Sequence, residues 1–331
     1  MTQLSANAIL DLIEGPGDIF KAPSWAAPLS PTLEIKGEEH LLLGDGTGPF
    51  LPIEWFKERH RFAIKTAPIG EGEAGSIYRS SGTTGGGHSL SQFSQQGLDF
   101  YQRAAVRTFR AVLSDFHQNP EIFSIVSLIP PLAEAPHSSL AAMLDFFSRR
   151  WPLLYSTPEH CPEIVRDLKG PICLFGTTAH HLALATTQTQ ELPQGSIAVE
   201  TGGLKTMGKS LDRVSLHEMI GKTWNLAPSH IVSEYGMAEL ASQAYDWQRP
   251  GQRAARQFRY PRWVKFWAMR GLGIQEKPGK GALLVRDLAR LDIPWAIRTQ
   301  DFVEVTPTGF RYCGRVPQAV LKGCALGVSD L

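Results

Sequence analysis

The residues with the clearest chemical potential lie between Tyr78 and Ser89, which read Y-R-S-S-G-T-T-G-G-G-H-S. Six consecutive small or hydroxyl residues, Ser80 to Gly85, are followed by Gly86 and Gly87. Glycine admits positive φ and lets a ligand approach the backbone closely. Successive N–H groups in such a run can turn inward as an anion-binding nest. The hydroxyls of Ser81, Thr83 and Thr84 add donors for phosphate oxygens, with Gly82 and Gly85 between them. A helix starting beyond the run brings partial positive charge to the same place. The chemistry served is the holding of a phosphorylated ligand. The plain alternative is a flexible linker of Gly, Ser and Thr.

Two kinds of phosphate loop fit. Gly82 to Ser89 spells G-x-x-x-x-G-H-S, one residue from the Walker A pattern G-x-x-x-x-G-K-[ST]. A P-loop phosphotransferase would need a lysine at the position of His88 to reach the β- and γ-phosphates. Ser81 to Gly85, S-G-T-T-G, matches in full the loop of adenylate-forming enzymes. The loop alone leaves both open.

Three downstream segments separate them. Ser233 to Glu239, S-E-Y-G-M-A-E, resembles the Y-G-x-T-E motif of the adenylate-forming superfamily. Arg298 to Asp301, R-T-Q-D, resembles its R-T-G-D motif, and Gly314-Arg315 its G-R pair after a short β-turn. Four segments in the family's order, from Ser81 to Arg315, form a specific pattern where each alone is weak. The resemblance implies ATP and Mg²⁺ as cofactors. Glu234, Tyr235, Gly236 and Met237 would then lie by the nucleotide, with the aromatic ring beside adenine. Glu239 would help hold Mg²⁺, Asp301 would bind the ribose hydroxyls, and Arg315 would face the nucleotide. These residue types suit the reaction, because joining a carboxylate to an α-phosphate needs charge neutralisation and positioning. The plain alternatives are a helix-start glutamate favoured by the macrodipole for Glu239 and a turn residue for Asp301.

Within that superfamily the chain looks most like the acyl-protein synthetases of bacterial luciferase systems, the LuxE type. Phe175-Gly176-Thr177 resembles that group's F-G-T segment beside the acyl pocket, and Thr201-Gly202-Gly203-Leu204-Lys205 its G-G-W-K turn near the adenine. Lys322-Gly323-Cys324-Ala325-Leu326 resembles its R-G-C-S-L tail. The likeness runs from about Ser76 onward and is loose before it. It implies that Cys324 takes the acyl group as a thioester, a step suited to a thiolate whose pKa Lys322 would lower. An ordinary buried cysteine is the alternative. Cationic help for adenylation would come from Lys205, Lys322, Arg315 or the metal. His180 and His181 follow the F-G-T segment and read either as acyl-pocket residues or as one surface and one packed histidine. Two positions depart from the family: Ala238 stands where Thr or Ser is usual, and Gln300 where Gly is usual.

The expected activity is therefore activation of a carboxylic acid, fatty or otherwise apolar, as acyl-AMP, with transfer to a thiol. The acceptor would be the chain's own cysteine, a carrier protein or CoA, with a reductase as a further partner. A degenerate or partner-dependent nucleotide-binding protein of the same fold is the second reading, and Ala238 motivates it.

These residues need rigid elements to hold them. Short β-rich runs (Ile122–Ile129, Ile172–Phe175, Ser196–Glu200, Ile231–Tyr235) alternate with helical stretches (Leu90–Phe116, Ser139–Arg150, His180–Thr187, Arg213–Trp224). Alternation of this kind predicts βαβ units and a mainly parallel, buried sheet. Phe93, Tyr101, Ala105, Phe109, Val112 and Phe116 recur at helical spacing and predict one apolar stripe. Beyond Pro261 the runs Trp263–Met269, Ala282–Arg286, Trp295–Arg298 and Phe302–Val305 read as strands separated by turns. The fold class expected is α/β: the large adenylation domain of the superfamily with a small β-rich subdomain. The expected divisions are an irregular N-terminal segment (1–75), the α/β nucleotide-binding core (76–260), and the β-rich subdomain with its tail (261–331). The family's usual mobile C-terminal domain is expected to be missing.

Composition narrows the classes further. A formal charge of +1 leaves no basic surplus for nucleic acid. No stretch approaches the ~20 apolar residues of a membrane span, and Asp11, Glu14 and Asp18 do not suit a signal peptide. Cys161, Cys173, Cys313 and Cys324 lack metal-ligand spacing, which favours a reducing, cytoplasmic setting.

Overall fold

The computed structural model describes residues 5–21, 50–56, 75–79, 89–186, 190–202, 205–206, 209–210, 212–248, 255–271, 273–275, 278–293 and 295–316. Its first elements are α1 (Ala6–Glu14), β1 (Phe50–Pro52), β2 (Ser76–Arg79), β3 (Leu90–Phe93) and α2 (Gln95–Ser114). Next come β4 (Ser124–Ser127), α3 (Ser139–Ser148), β5 (Leu153–Tyr155), α4 (Cys161–Asp167), β6 (Ile172–Thr177) and α5 (Thr178–Leu184). Then follow β7 (Ile197–Thr201), β8 (Lys205–Thr206), β9 (Lys209–Ser210), α6 (Arg213–Trp224), β10 (Ile231–Tyr235) and β11 (Ala244–Asp246). Last are β12 (Val264–Arg270), β13 (Gly273–Ile274), β14 (Gly279–Asp287), β15 (Ala296–Val305) and β16 (Phe310–Arg315). The chain divides into two compact units. One holds Met1–Ala104, Ala238–Ser242 and Arg259–Leu331; the other holds Ala105–Met237 and Gln243–Phe258.

The second unit is built on a sheet in the order β11-β10-β7-β6-β4-β5, parallel throughout except at the β10–β11 edge. Its central strands begin as apolar runs (Ile172–Phe175, Ile197–Val199, Ile231–Val232) and are buried almost throughout, as a parallel sheet covered on both faces requires. Polar residues follow at their carboxyl ends. One face packs Val126, Leu174, Ala198 and Ile231 against Leu216, Ile220 and Trp224 of α6 and Val165 of α4. On the other, Phe175 meets Phe109, which stacks on Phe147 of α3 at 4.4 Å and abuts Trp151 edge-on. Helix α6 starts at Asp212, whose carboxylate accepts from the Ser215 amide, and stops at Asn225 in the left-handed conformation. Its limits are those the sequence predicts.

The first unit carries a mostly antiparallel sheet, β1-β15-β14-β12-β13. Strand β16 pairs with the second half of β15, and β1 runs parallel to the first half. The two short runs expected at 295–298 and 302–305 are one continuous strand, β15, with inward Ile297, Val303 and Val305 buried. The long helix expected from Leu90 begins instead at Gln95. Leu90–Phe93 is a strand paired antiparallel with β2, so Phe93 reaches the core from a strand, stacked on Tyr101 at 5.4 Å. Ser94 ends that strand as the helix cap: its hydroxyl accepts from the Gly97 amide at 3.0 Å.

Candidate functional site

In the second unit the carboxyl ends of β6, β7 and β10 bring Thr177, Thr201 and Glu234 into one row of the register. The crevice outside such strand ends is where open α/β sheets take ligands. The Thr201 hydroxyl donates to a Glu234 carboxylate oxygen. Burial pushes the Glu234 carboxyl up to about 7; the Thr201 bond opposes this and the Glu200 charge adds to it. The chain turns away at Gly236, where an added Cβ would press on the Glu234 carboxylate and require that side chain to shift. Tyr235 is half-buried with its ring 5.7 Å from Phe258, Met237 is half-buried, and Gly202 leaves β7 with φ +99°.

On the opposite face of the same strand ends lies a buried polar network that the sequence motifs do not include. Glu200 is 1% exposed, with Arg213 Nε at 3.4 Å and His217 Nε2 at 3.5 Å from its carboxylate. His217 Nε2 also lies 3.2 Å from the Ser233 hydroxyl. Burial alone would raise the Glu200 carboxyl, but the His217 hydrogen bond and the Arg213 charge hold it below its ordinary range. The histidine pair divides in the same local way. His180 closes a capping box with Thr177, and His181 is buried against the Val199 carbonyl at 3.0 Å.

The first unit holds the other half of the motif residues. Glu239 is 2% exposed; burial raises its carboxyl, while its own backbone, the Ser89 hydroxyl and the Arg290 charge pull it down and Asp301 raises it again. Ser89, the residue that ends the Gly-rich segment, therefore meets the carboxylate of Glu239, with Asp301 within electrostatic reach. Asp301 sits opposite Arg315 across β15 and β16, its Oδ1 3.2 Å from the guanidinium Nε. Its amide donates to the Thr299 hydroxyl at 3.1 Å.

Beneath these residues is a cluster that no motif flags. Arg290, in the turn after β14, is almost wholly buried. Its Nε donates to the Glu239 carbonyl at 3.2 Å, one terminal nitrogen to Asp292 Oδ2 at 2.6 Å, and the other to the Ser91 hydroxyl and the Gln92 carbonyl. The guanidinium lies 3.5 Å from the centre of the Phe93 ring. Asp287, the last residue of β14, accepts from the Ala241 amide and the Ser242 hydroxyl, each at 2.9 Å. The local sequence signal is four charges, Arg286, Asp287, Arg290 and Asp292, within an otherwise apolar stretch.

Ser81, Gly82, Thr83, Thr84, Gly85, Gly203 and Cys324 lie outside the described residues, as does the side chain of Lys205, whose backbone forms β8. Among the described residues no group of three or more His, Cys, Asp or Glu forms a metal cage, and no helix is long and apolar enough to cross a membrane. The first unit also has a cleft of about 300 Å³ lined by Lys21, Tyr260, Lys265, Phe266, Trp267 and Thr308, with none of the motif residues in its wall.

No family model matches the chain, and no curated protein matches it. Solved structures do. ATP-bound MatB from Rhodopseudomonas palustris aligns over 72% of this chain and 47% of its own, at 14% identity and a TM-score of 0.51. O-succinylbenzoate coenzyme A synthetase (MenE) from Bacillus subtilis, in complex with ATP and magnesium ion, aligns over 72% and 49% at 13% identity and 0.51. The same synthetase in complex with AMP aligns over 82% and 59% at 13% identity and 0.50. The chain thus has the fold of the aligned part of these proteins and spans about half their length.

Proposed function

We propose that this chain is an adenylate-forming ligase that activates a carboxylic acid, fatty or otherwise apolar, as acyl-AMP and passes the acyl group to a thiol. The observation that carries the reading is that, within one unit, the buried Glu239 carboxylate is hydrogen-bonded by Ser89 and lies within electrostatic reach of Asp301. A loop suited to phosphate ends at a buried carboxylate, and a second carboxylate beside Arg315 stands in reach. The fold shared with ATP-bound ligases supports it.

In the first step a substrate carboxylate oxygen attacks the α-phosphorus of ATP, the bond to the pyrophosphate oxygen breaks, and acyl-AMP and pyrophosphate form. The chain's part is positioning and charge compensation. Ser81 to Gly85 would donate amides and hydroxyls to phosphate oxygens, and Asp301 would accept from the ribose hydroxyls. The donor set suits Mg²⁺ rather than a fully caged metal, because Mg²⁺ is commonly held by one or two carboxylates together with substrate phosphates and Glu239 is a single buried carboxylate. When bound, Mg²⁺ neutralises charge developing on the phosphates. In the second step a thiolate attacks the acyl carbon and AMP departs; Cys324, a carrier-protein thiol and CoA are the acceptors in view.

Carboxylate-dependent exchange of labelled pyrophosphate into ATP tests the first step. Exchange is expected with at least one member of a fatty and aromatic acid panel, and silence across the panel removes the synthetase reading. Ala238, buried and without the hydroxyl usual at its position, favours a second reading as a nucleotide-binding protein without turnover. Calorimetric binding of ATP without exchange would select it.

A further inference from the structure

We propose that Arg290 is a positioning residue for adenylation: it locks the main chain at Glu239 onto the strand leaving the Gly-rich segment, and so sets where the Glu239 carboxylate meets metal-bound triphosphate. The inference rests on the adenylation reading above and adds a residue to it.

The argument begins with cost. A buried guanidinium is expensive unless paired, and apolar residues of similar volume commonly replace buried ion pairs with equal or better stability. Packing alone therefore gives little reason for an arginine at this place. Geometry gives one. Arginine has five donors in a rigid planar fork, and here they reach four acceptors on three segments that are far apart in sequence. Ser91 and Gln92 belong to β3, two and three residues past Ser89; the Glu239 carbonyl belongs to the Y-G-x-x-E segment; Asp292 belongs to the same turn as Arg290. Phe93 supplies a ring beneath the fork.

The partners extend the clamp in both directions. The carboxylate of Asp292 that takes Arg290 also accepts from the Ser94 amide at 3.2 Å, at the cap of α2. It lies so close to Gly97 that a Cβ there would press on the Asp292 carboxylate, so the first helical turn is fitted around it. Asp287 grips the residues just after Glu239 through Ala241 and Ser242. The end of β14 and the turn after it, 287–292, therefore fix the two sides of the Ser89–Glu239 contact.

The test uses the whole chain with Arg290→Lys, Asp292→Asn and Ser91→Ala. Lysine keeps the charge but cannot make the fork. Two readouts are needed beside circular dichroism for folding: Mn²⁺ affinity in the presence of a non-hydrolysable ATP analogue, by calorimetry, and the kcat and KM of pyrophosphate exchange. Folded Arg290→Lys is expected to lose about 10- to 100-fold in metal affinity and about 100-fold in kcat, with KM for the acid unchanged. Ser91→Ala, which removes one acceptor, should show the same pattern more weakly. Wild-type metal affinity and kcat in folded Arg290→Lys overturn the inference and leave the adenylation reading intact. Failure of all three variants to fold makes the cluster a stability device and also overturns it. A wild-type chain that binds no Mn²⁺-nucleotide overturns both readings together.

Discussion

Thr201 donates its hydroxyl hydrogen to Glu234 across the carboxyl ends of two neighbouring parallel strands. The pair is buried, and the Glu234 carboxyl titrates at about 7 in the folded chain against an ordinary 4.5. Between those values the folded state keeps a proton that the unfolded state has released, so the contribution to stability is full below about 4.5 and is lost as pH rises through 7. The difference corresponds to about 3 kcal/mol. Glu200, held below its ordinary range, acts only at lower pH and with the opposite sign. The buried and half-buried rings of His180, His181, His217 and His230, held below their ordinary value by desolvation, gain stability as pH rises in the same window. The Glu234 contribution is therefore read as a difference: the melting temperature of the wild type relative to Glu234→Gln is expected to fall between pH 5 and pH 7.5. A difference that stays constant over that range would remove Glu234 as a cause.

Asp301 separates the adenylating reading from the Walker A reading. Arg315 is 44% exposed, so its pairing with Asp301 contributes little to folding. Asp301→Ala should leave the melting temperature near wild type. A lost hydrogen bond to a charged group is worth about 1.5–3 kcal/mol, or roughly 10- to 150-fold in ATP affinity. Calorimetry with ATP reads this directly, and unchanged affinity would favour a phosphotransferase built on Gly82–Ser89.

The cysteines divide by environment. Cys161 and Cys173 are buried, and burial pushes the Cys161 thiol up to about 12 and that of Cys173 further still. Neither can supply thiolate at neutral pH. Intact-mass spectrometry after incubation with ATP and an accepted acid should give an acyl adduct absent from Cys324→Ser. An adduct that survives this change would point to exposed Cys313 or to another nucleophile.

Phe109 is the keystone of the aromatic face in the second unit, touching Phe147, Trp151, Phe175 and Tyr245. Phe109→Ala should cost about 3–5 kcal/mol, by the usual loss for a buried aromatic. Urea unfolding would reveal it as a lower midpoint, and a loss below 1 kcal/mol would mean the cavity collapses around the site.

Local pattern made much of the fold readable. Arg213–Trp224 carries its own cap residues at both ends, and the buried strands of the second unit begin as short apolar runs. Reading failed where a distant partner decides. Phe93 falls in phase with the stripe of α2, yet pairing with β2 and the Asp292 carboxylate at Ser94 make 90–93 a strand and start the helix after it. The same holds at the candidate site. Glu239 and Asp301 enter the proposed site because they sit in short motifs visible in the sequence. Arg290 is not legible in that way, because the partners that give it meaning on β3 lie 198 and 199 positions away. Glu200 and His217 are linked only through adjacent strands and the helix covering them.

The parallel pairing of β1 with β15 joins Phe50 to Ala296. A chain emerging from the ribosome must hold the early strand unpaired until the late one exists, because non-local contacts have to wait for loop closure. The second unit, running from Ala105 to Phe258 with one short interruption, has all its strands before then. It is therefore able to fold during synthesis, while the unit carrying Glu239 and Asp301 closes last. Interrupted synthesis would yield the ordered, mainly parallel sheet without the closed sheet that carries Asp301.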